Sequence, residues 1–465
     1  MRPGTSALFK NEPKSSAALA PLFPYGLVLI IALYPLVSAQ TLLILRWHYV
    51  GGGSAIEKIH PATYLLFLAL SLTLVFHSQF RRLFFYRISS DPFLTSFVAA
   101  VLLTAAYDLL LGNASVAPFV DTFLMAILTT IVLTCVPYPA LLLLRRIVDL
   151  FFVLNIFMIF AEMILHVDFI APYVSGVIRT PEEMVVLGGQ MQGGSDTGRL
   201  SALFGHPLNA AMLFSVYSIA NLASVPMRLS TAALTRLGLS ILAYLAIFPT
   251  ESRASMGATT IILGLYLVYF GVGILAKGRI SPIGLSMTLF IALGFALAAM
   301  PLWDAGFFDK MLLRFQYDYG SALSRDYAID ILQSMPYSAL WFGLSQSELR
   351  TIQGGFGLIA IEISWVNFIL VGGLVTTIPL FVTLCLFLFR SLPRYCYFGI
   401  YFVSLLILES TFASNSIWAK STGLTTALIV GISMLRRADL RQRPIATTTN
   451  SRMYQATRAT WVQTH

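Results

Sequence analysis

The feature that most constrains this chain is a succession of apolar runs, each about 20 residues long, filling most of its 465 positions. A helix of that length crosses roughly 30 Å of hydrocarbon, where only helices and closed barrels satisfy every backbone N–H and C=O. Twelve runs can be placed, at 24–45, 61–79, 93–111, 117–137, 147–166, 207–225, 236–250, 256–276, 282–301, 364–389, 395–413 and 421–435, with 236–250 a short one. Hydrophobic residues make up 57% of the chain and charged ones 11%, with mean hydropathy +0.79, more apolar surface than a soluble domain could hide. The expected fold is all-α, a polytopic integral membrane protein of about twelve spans.

Orientation follows from the basic residues, because Lys and Arg beside helix ends stay cytoplasmic. With the N-terminus inside, most of the 30 Lys and Arg residues are cytoplasmic, among them Arg81, Arg82, Arg87, Arg145, Arg146, Arg236, Arg390, Arg394 and six arginines after Leu435. Both termini are therefore read as cytoplasmic. Three regions follow: an N-terminal segment 1–23, a transmembrane domain 24–435, and a basic tail 436–465 whose Arg-, Thr- and Gln-rich composition suits disorder and contact with anionic headgroups. The net charge of +9 is the positive-inside signature and calls for no nucleic-acid partner. The first run is long enough to span and has no small-residue cleavage site, so it is expected to act as a signal anchor. Cys135, Cys385 and Cys396 lie in or beside apolar runs without metal-ligand spacing and read as buried small hydrophobes.

Two long loops fall on the outer face, at 167–206 and 302–363. The second interleaves charges such as Arg314, Arg325 and Asp326 with aromatic residues such as Tyr317, Tyr319 and Trp341. Its stretch MLLRFQYDYGSALSRDYAIDILQSM has helix-compatible apolar spacing and is expected to form short helices along the membrane. Such residues suit sugar rings and their hydroxyls; an interfacial aromatic belt with solvated charges is the alternative.

Three constellations stand out. The first, RLSALFGHPLNA from Arg199, places an arginine before a Gly205–His206–Pro207 corner and Asn209. Pro207 suits the first turn of a helix, and an arginine beside a helix N-terminus suits a pyrophosphate; a loop arginine meeting headgroups and a structural His206 are the plainer readings. The second, Thr250 to Arg253, puts Glu251 and Arg253 at the rim of a span, where they face a cavity or each other. The third is Glu362 at the start of IEISWVNFILVGGL, a membrane boundary where desolvation suits a general base; Gly372 and Gly373 beyond it suit helix packing. Asp108, Asp121 and Asp149 read as interhelical hydrogen-bonding groups, or, if with Glu162 they line a path at mid-depth, as the mark of a transporter.

Together these motifs resemble the Wzy-type polysaccharide polymerase and O-antigen ligase superfamily of bacterial inner-membrane proteins. RLSALFGHPLNAA is similar to its Phe-Gly-Asn-Pro-Asn segment, SRASMG at 252–257 to its Ser-Arg-Gly-Ala segment, and the large outer loop precedes a polar residue and a glycine-ended helix. The resemblance implies a GT-C-like glycosyltransferase acting without a metal or other cofactor and with inversion. Arg199 and Arg253 would bind the diphosphate of an undecaprenyl-linked oligosaccharide, Glu362 would activate the acceptor, and Arg314, Arg325, Tyr317, Tyr319, His206 and Asn209 would contact sugar or acceptor. The ligase's loop histidine has no counterpart here, which favours a polymerase over a ligase. A flippase and a chain-length regulator are the implied protein partners. A flippase or exporter of the lipid-linked unit is the alternative from another class.

Overall fold

The computed structural model describes residues 22–49, 54, 56–111, 119–165, 167, 169–175, 177, 200–225, 230–276, 286, 303, 309, 321–356, 361, 363–413 and 422–438. Among these, the regular elements are all helical. In chain order they are α1 (Leu22–Leu36), α2 (Ala39–Ile44), α3 (Pro61–Phe76), α4 (Ser78–Ser90), α5 (Pro92–Leu110), α6 (Met125–Cys135), α7 (Tyr138–Leu165), α8 (Ala171–Ser175) and α9 (Pro207–Ala223). They continue with α10 (Thr231–Leu245), α11 (Arg253–Ala276), α12 (Ser321–Ser334), α13 (Tyr337–Phe342), α14 (Gln346–Gly355), α15 (Ser364–Leu386), α16 (Ile400–Ala413) and α17 (Gly423–Leu435).

Four described helices are long and apolar enough to cross a membrane: α5, α7, Thr231–Thr250 built on α10, and Ser364–Arg394 built on α15. The shorter apolar helices α1, Val120–Cys135, α9, Ile400–Phe412 and α17 accompany them. These are the helices of a membrane-embedded protein. The expected run at 282–301 lies outside the described residues except for Ser286.

Several runs differ from the expected spans for local reasons. The 61–79 run stops at Phe76, because His77 leaves the helical region and its Nδ1 accepts from the Phe80 N–H at 3.1 Å, starting α4 at a bend of 112°. The 24–45 run divides at Ser38, whose hydroxyl accepts from the Thr41 N–H at 3.3 Å and caps α2. In α7 the helix runs back to Tyr138, beyond the apolar run, and carries Arg145 and Arg146 on its added turns.

Three helices begin with the same device, a polar residue followed by proline: His60–Pro61, Asp91–Pro92 and His206–Pro207. Proline pushes the residue before it out of the helical region, which is the conformation an N-cap needs, and itself lacks an N–H to satisfy. Each cap side chain then accepts from the free N–H groups of the first turn.

The centre of the bundle is occupied by α9 and α17. Every residue of α17 is buried, as is an unbroken stretch of α9 from Ala210 to Asn221, the pattern of a helix surrounded by other helices. Around them α5, α7 and α11 turn bulky apolar side chains such as Leu103, Leu110, Leu150, Phe157, Ile261 and Val268 outward, a surface suited to lipid contact.

Several described basic residues at helix ends act as ties between elements. Arg436, buried, donates to the carbonyls of Leu133 at 2.6 Å and Val136 at 2.8 Å and so closes the C-terminus of α6. Asp91 accepts from Ser391 Oγ at 2.7 Å and the Tyr395 hydroxyl at 3.1 Å, with Arg394 3.2 Å away. Arg236 of α10 grips Asp149 of α7 with two hydrogen bonds, at 2.7 and 2.6 Å, while the Tyr217 hydroxyl donates to the same carboxylate. Asp149 and Asp121 thus serve as interhelical hydrogen-bonding groups, the first of the two expected roles; Asp108 has a different environment.

Gly372 and Gly373, expected to pack helices, do so by breaking one. Gly373 has φ +70° and ψ 175°, which interrupts α15. Gly343, at φ +83°, lies back to back with it: a Cβ on Gly373 would strike the Trp341 carbonyl, and one on Gly343 the Val371 carbonyl. The Leu344 N–H donates to the Leu370 carbonyl at 2.7 Å and the Tyr107 hydroxyl to the Phe342 carbonyl at 3.0 Å. Helix α13 is thereby clamped to α15 and α5.

Two variants test these ties by thermal unfolding in detergent. Gly343→Ala meets both a left-handed backbone and a carbonyl and should cost about 2–4 kcal/mol, with proteolysis of the outer loop accelerated. Arg236→Ala leaves Asp149 without its cation and should cost about 2–3 kcal/mol, whereas Arg236→Met with Asp149→Leu should recover most of that loss.

Candidate functional site

The segment that follows Arg199 is held in place from several sides. The Leu200 N–H donates to the Pro249 carbonyl at 3.2 Å, and the Leu203 N–H to Asn155 Oδ1 of α7 at 3.0 Å. Phe204 lies among Phe151, Phe152 and Phe214, with ring centroids 5.4, 5.4 and 5.2 Å away. Gly205 has φ +84°, a conformation that favours glycine, and its carbonyl accepts from the buried Gln40 amide at 3.0 Å. His206 then caps α9 through Nδ1, which accepts from the Leu208 N–H at 3.2 Å.

This corner forms one wall of a small cleft with about 40 Å³ of enclosed space. His206 and Asn209 line it together with Tyr34, Tyr49, His60 and Phe204, and Thr422, Gly423 and Thr426 contribute the start of α17. The cleft therefore collects the ends of α1, α3, α9 and α17 opposite the end where Arg436, Arg394 and Arg236 make their ties. Aromatic walls with hydroxyl and amide groups suit a hydroxyl-bearing ligand.

Beneath the cleft runs a buried polar network. Asp121 accepts the Thr63 hydroxyl at 2.6 Å on Oδ1 and the His60 N–H at 2.8 Å on Oδ2, and Thr63 pairs with the Tyr34 hydroxyl at 2.9 Å. Because His60 Nδ1 accepts from the Ala62 N–H at 3.2 Å, its Nε2 carries the proton and donates to the Val37 carbonyl at 2.8 Å. Both ring nitrogens are committed, so His60 positions α3 against α1. Burial lowers its pKa to about 4, against the opposing effect of the Val37 carbonyl. Burial, and next the charge of Asp121, push the Tyr49 hydroxyl up.

The second motif adjoins the first. Glu251, buried at φ +53°, ends the turn Phe248–Thr250, and Arg253, half-buried, opens α11. Thr259 Oγ1 of α11 donates to Ser215 Oγ of α9 at 2.6 Å, so the helices that follow the two motifs are joined.

Arg325, on α12, is half-buried and lies within electrostatic reach of Glu409 on α16. Glu409 escaped notice in the sequence; its signal is an acid within an apolar run that offers no basic partner. His60 carries the same His-Pro signature as His206 and could have been paired with it on that ground. Arg199, Arg314, Tyr317, Tyr319 and Glu362 lie outside the described residues; Ile361 and Ile363, on either side of Glu362, are buried against α12 and α14 neighbours such as Ile331 and Leu349.

The neutral His60 gives a pH prediction. Its folded-state pKa of about 4 lies below the usual 6.5, so the unfolded chain takes up the proton first as pH falls. Its contribution is complete above about pH 6.5 and is lost between there and about pH 4, amounting to as much as about 3 kcal/mol. Unfolding midpoints measured across that range should fall more steeply for the wild type than for His60→Asn. No protein-family model matches the chain, and no curated protein matches its sequence.

Proposed function

We propose that the protein polymerises undecaprenyl-diphosphate-linked oligosaccharide repeat units into an exopolysaccharide, capsule or O-antigen at the outer face of the bacterial inner membrane, as a twelve-span GT-C-like glycosyltransferase with both termini cytoplasmic. The observation that carries this reading is the Leu200–Pro249 hydrogen bond, which ties the chain directly after Arg199 to the turn that leads into Arg253. Two arginine-bearing motifs held beside each other suit the two phosphates of one lipid diphosphate.

In the proposed reaction, Arg199 and Arg253 neutralise the diphosphate and so make it a better leaving group. Glu362 takes the proton of an acceptor sugar hydroxyl, whose oxygen attacks the anomeric carbon from the face opposite the diphosphate. The new glycosidic bond forms as the bond to the phosphate oxygen breaks, with inversion, and undecaprenyl diphosphate departs with the electron pair. The cleft lined by His206, Asn209, Tyr34 and Tyr49 supplies a place for sugar hydroxyls on the same end of the bundle. A flippase would deliver the substrate and a chain-length regulator would set the product. Translocation of the lipid-linked unit is the second reading, favoured by the buried acid Asp108 beside the interrupted helix α15.

Complementation of a deletion strain tests both. Arg199→Ala, Arg253→Ala and Glu362→Gln should each lower polymer by about 100-fold or more at equal membrane levels, with single repeat units accumulating on the outer-face lipid. Polymer retained by all three variants would remove this site, and units trapped on the inner face would replace polymerisation with translocation.

A further inference from the structure

The last turn of α5 carries an acid, Asp108, that is 1% exposed. Its Oδ1 has no hydrogen-bond partner, and none of the described residues forms an ion pair with it. Tyr107, beside it in the chain, has a hydrogen bond to another element. Asp108 is placed against the break in α15.

Asp108 faces Gly372, the residue before the break. A Cβ built on Gly372 would stand 3.2 Å from Asp108 Oδ1 and would strike Thr376 Oγ1, so only glycine leaves room between the two oxygens and the backbone. The Gly372 carbonyl accepts from Thr376 Oγ1 at 2.8 Å and the Gly373 carbonyl from Thr377 Oγ1 at 2.7 Å. The position thus gathers a carboxylate, a threonine hydroxyl and the carbonyls of an interrupted helix, all hard oxygen donors. An ionised carboxylate in so dry a place is costly by several kcal/mol unless it takes up a proton or a positive charge joins it. One negative charge is balanced by a monovalent cation, whereas a divalent ion would bring an unmatched charge. Carbonyls of discontinuous membrane helices are a recurring part of sodium sites.

We propose that Asp108, Thr376 and the backbone at Gly372 form a binding site for a small monovalent cation of the Na⁺ class. The same two helices hold α13 through the Tyr107–Phe342 and Leu344–Leu370 hydrogen bonds. Occupancy of the site therefore fastens the outer-loop helix α13 to the bundle. This inference rests on α5 and α15 alone and is independent of the glycosyl-transfer reading.

The test is thermal unfolding of the purified full-length protein in detergent, in NaCl, KCl or choline chloride at equal ionic strength, with saturable binding of radiolabelled Na⁺ measured in parallel. The wild type should unfold a few degrees higher in NaCl than in choline chloride, and Asp108→Asn should abolish that difference. Equal wild-type midpoints together with no saturable Na⁺ binding overturn the site whether or not the variant folds. A full NaCl shift retained by Asp108→Asn places the cation elsewhere and also overturns it. A midpoint that ignores Na⁺ but follows pH, and loses that response in Asp108→Asn, replaces the cation with a proton.

Discussion

Asp121 sits in a π-helical turn at the start of α6, fully buried, with both carboxylate oxygens taken by α3 and its cap. In a medium that offers no competing hydrogen bonds, the geometry of these two contacts decides how α3 and α6 meet. The consequences spread outward along the network: Thr63 pairs with Tyr34 of α1, and His60, oriented by its bond to Asp121, reaches the Val37 carbonyl where α1 ends. That ending matters because the chain turns there into α2, whose Gln40 holds the Gly205 carbonyl. One buried acid thus sets the back wall of the cleft and, through α2, the corner in front of α9.

The two ends of the bundle use polar groups differently. At the end rich in arginine, guanidinium groups satisfy helix C-termini and grip carboxylates, as Arg436 does for α6 and Arg236 for Asp149. Such ties close around themselves and leave little for a ligand. At the opposite end, hydroxyls, an amide and imidazoles line an open cleft, and the caps are neutral histidines rather than charged pairs. A cleft built from neutral donors and acceptors can exchange its hydrogen bonds with an uncharged polyol at small electrostatic cost.

The helical class and the polar helix starts were legible in the sequence because both rest on local chemistry. Apolar length demands helices, and Pro207 after His206 announces a helix start that the structure places where expected. Asp149 was legible as a hydrogen-bonding group because an acid near a span end needs a partner, though nothing local named Arg236, which lies 87 positions away. The bend at His77 was not legible: histidine tolerates a helix interior, and its capping role depends on α4 lying against the bundle through Phe80 and Phe84. Gly373 read as a packing residue, since small residues in apolar runs ordinarily permit close helix approach. Its break depends on Gly343, thirty positions earlier, presenting a second glycine at the same point. Glu409 and Tyr34 were missed because their neighbours come from elements distant in the chain.

The break in α15 links these arguments. A helix interrupted in hydrocarbon leaves backbone groups that something else must satisfy, and here the Leu344 N–H from the outer loop takes the Leu370 carbonyl. The loop is therefore part of the solution to a backbone problem inside the bundle, and detaching α13 would expose that problem again. The cost of leaving the carbonyl unpaired resists the departure of α13. The same break brings Gly372 against Asp108, so the position of the loop and the environment of the buried acid are coupled through one residue's backbone. Any change that straightens α15 at Gly373 must disturb both.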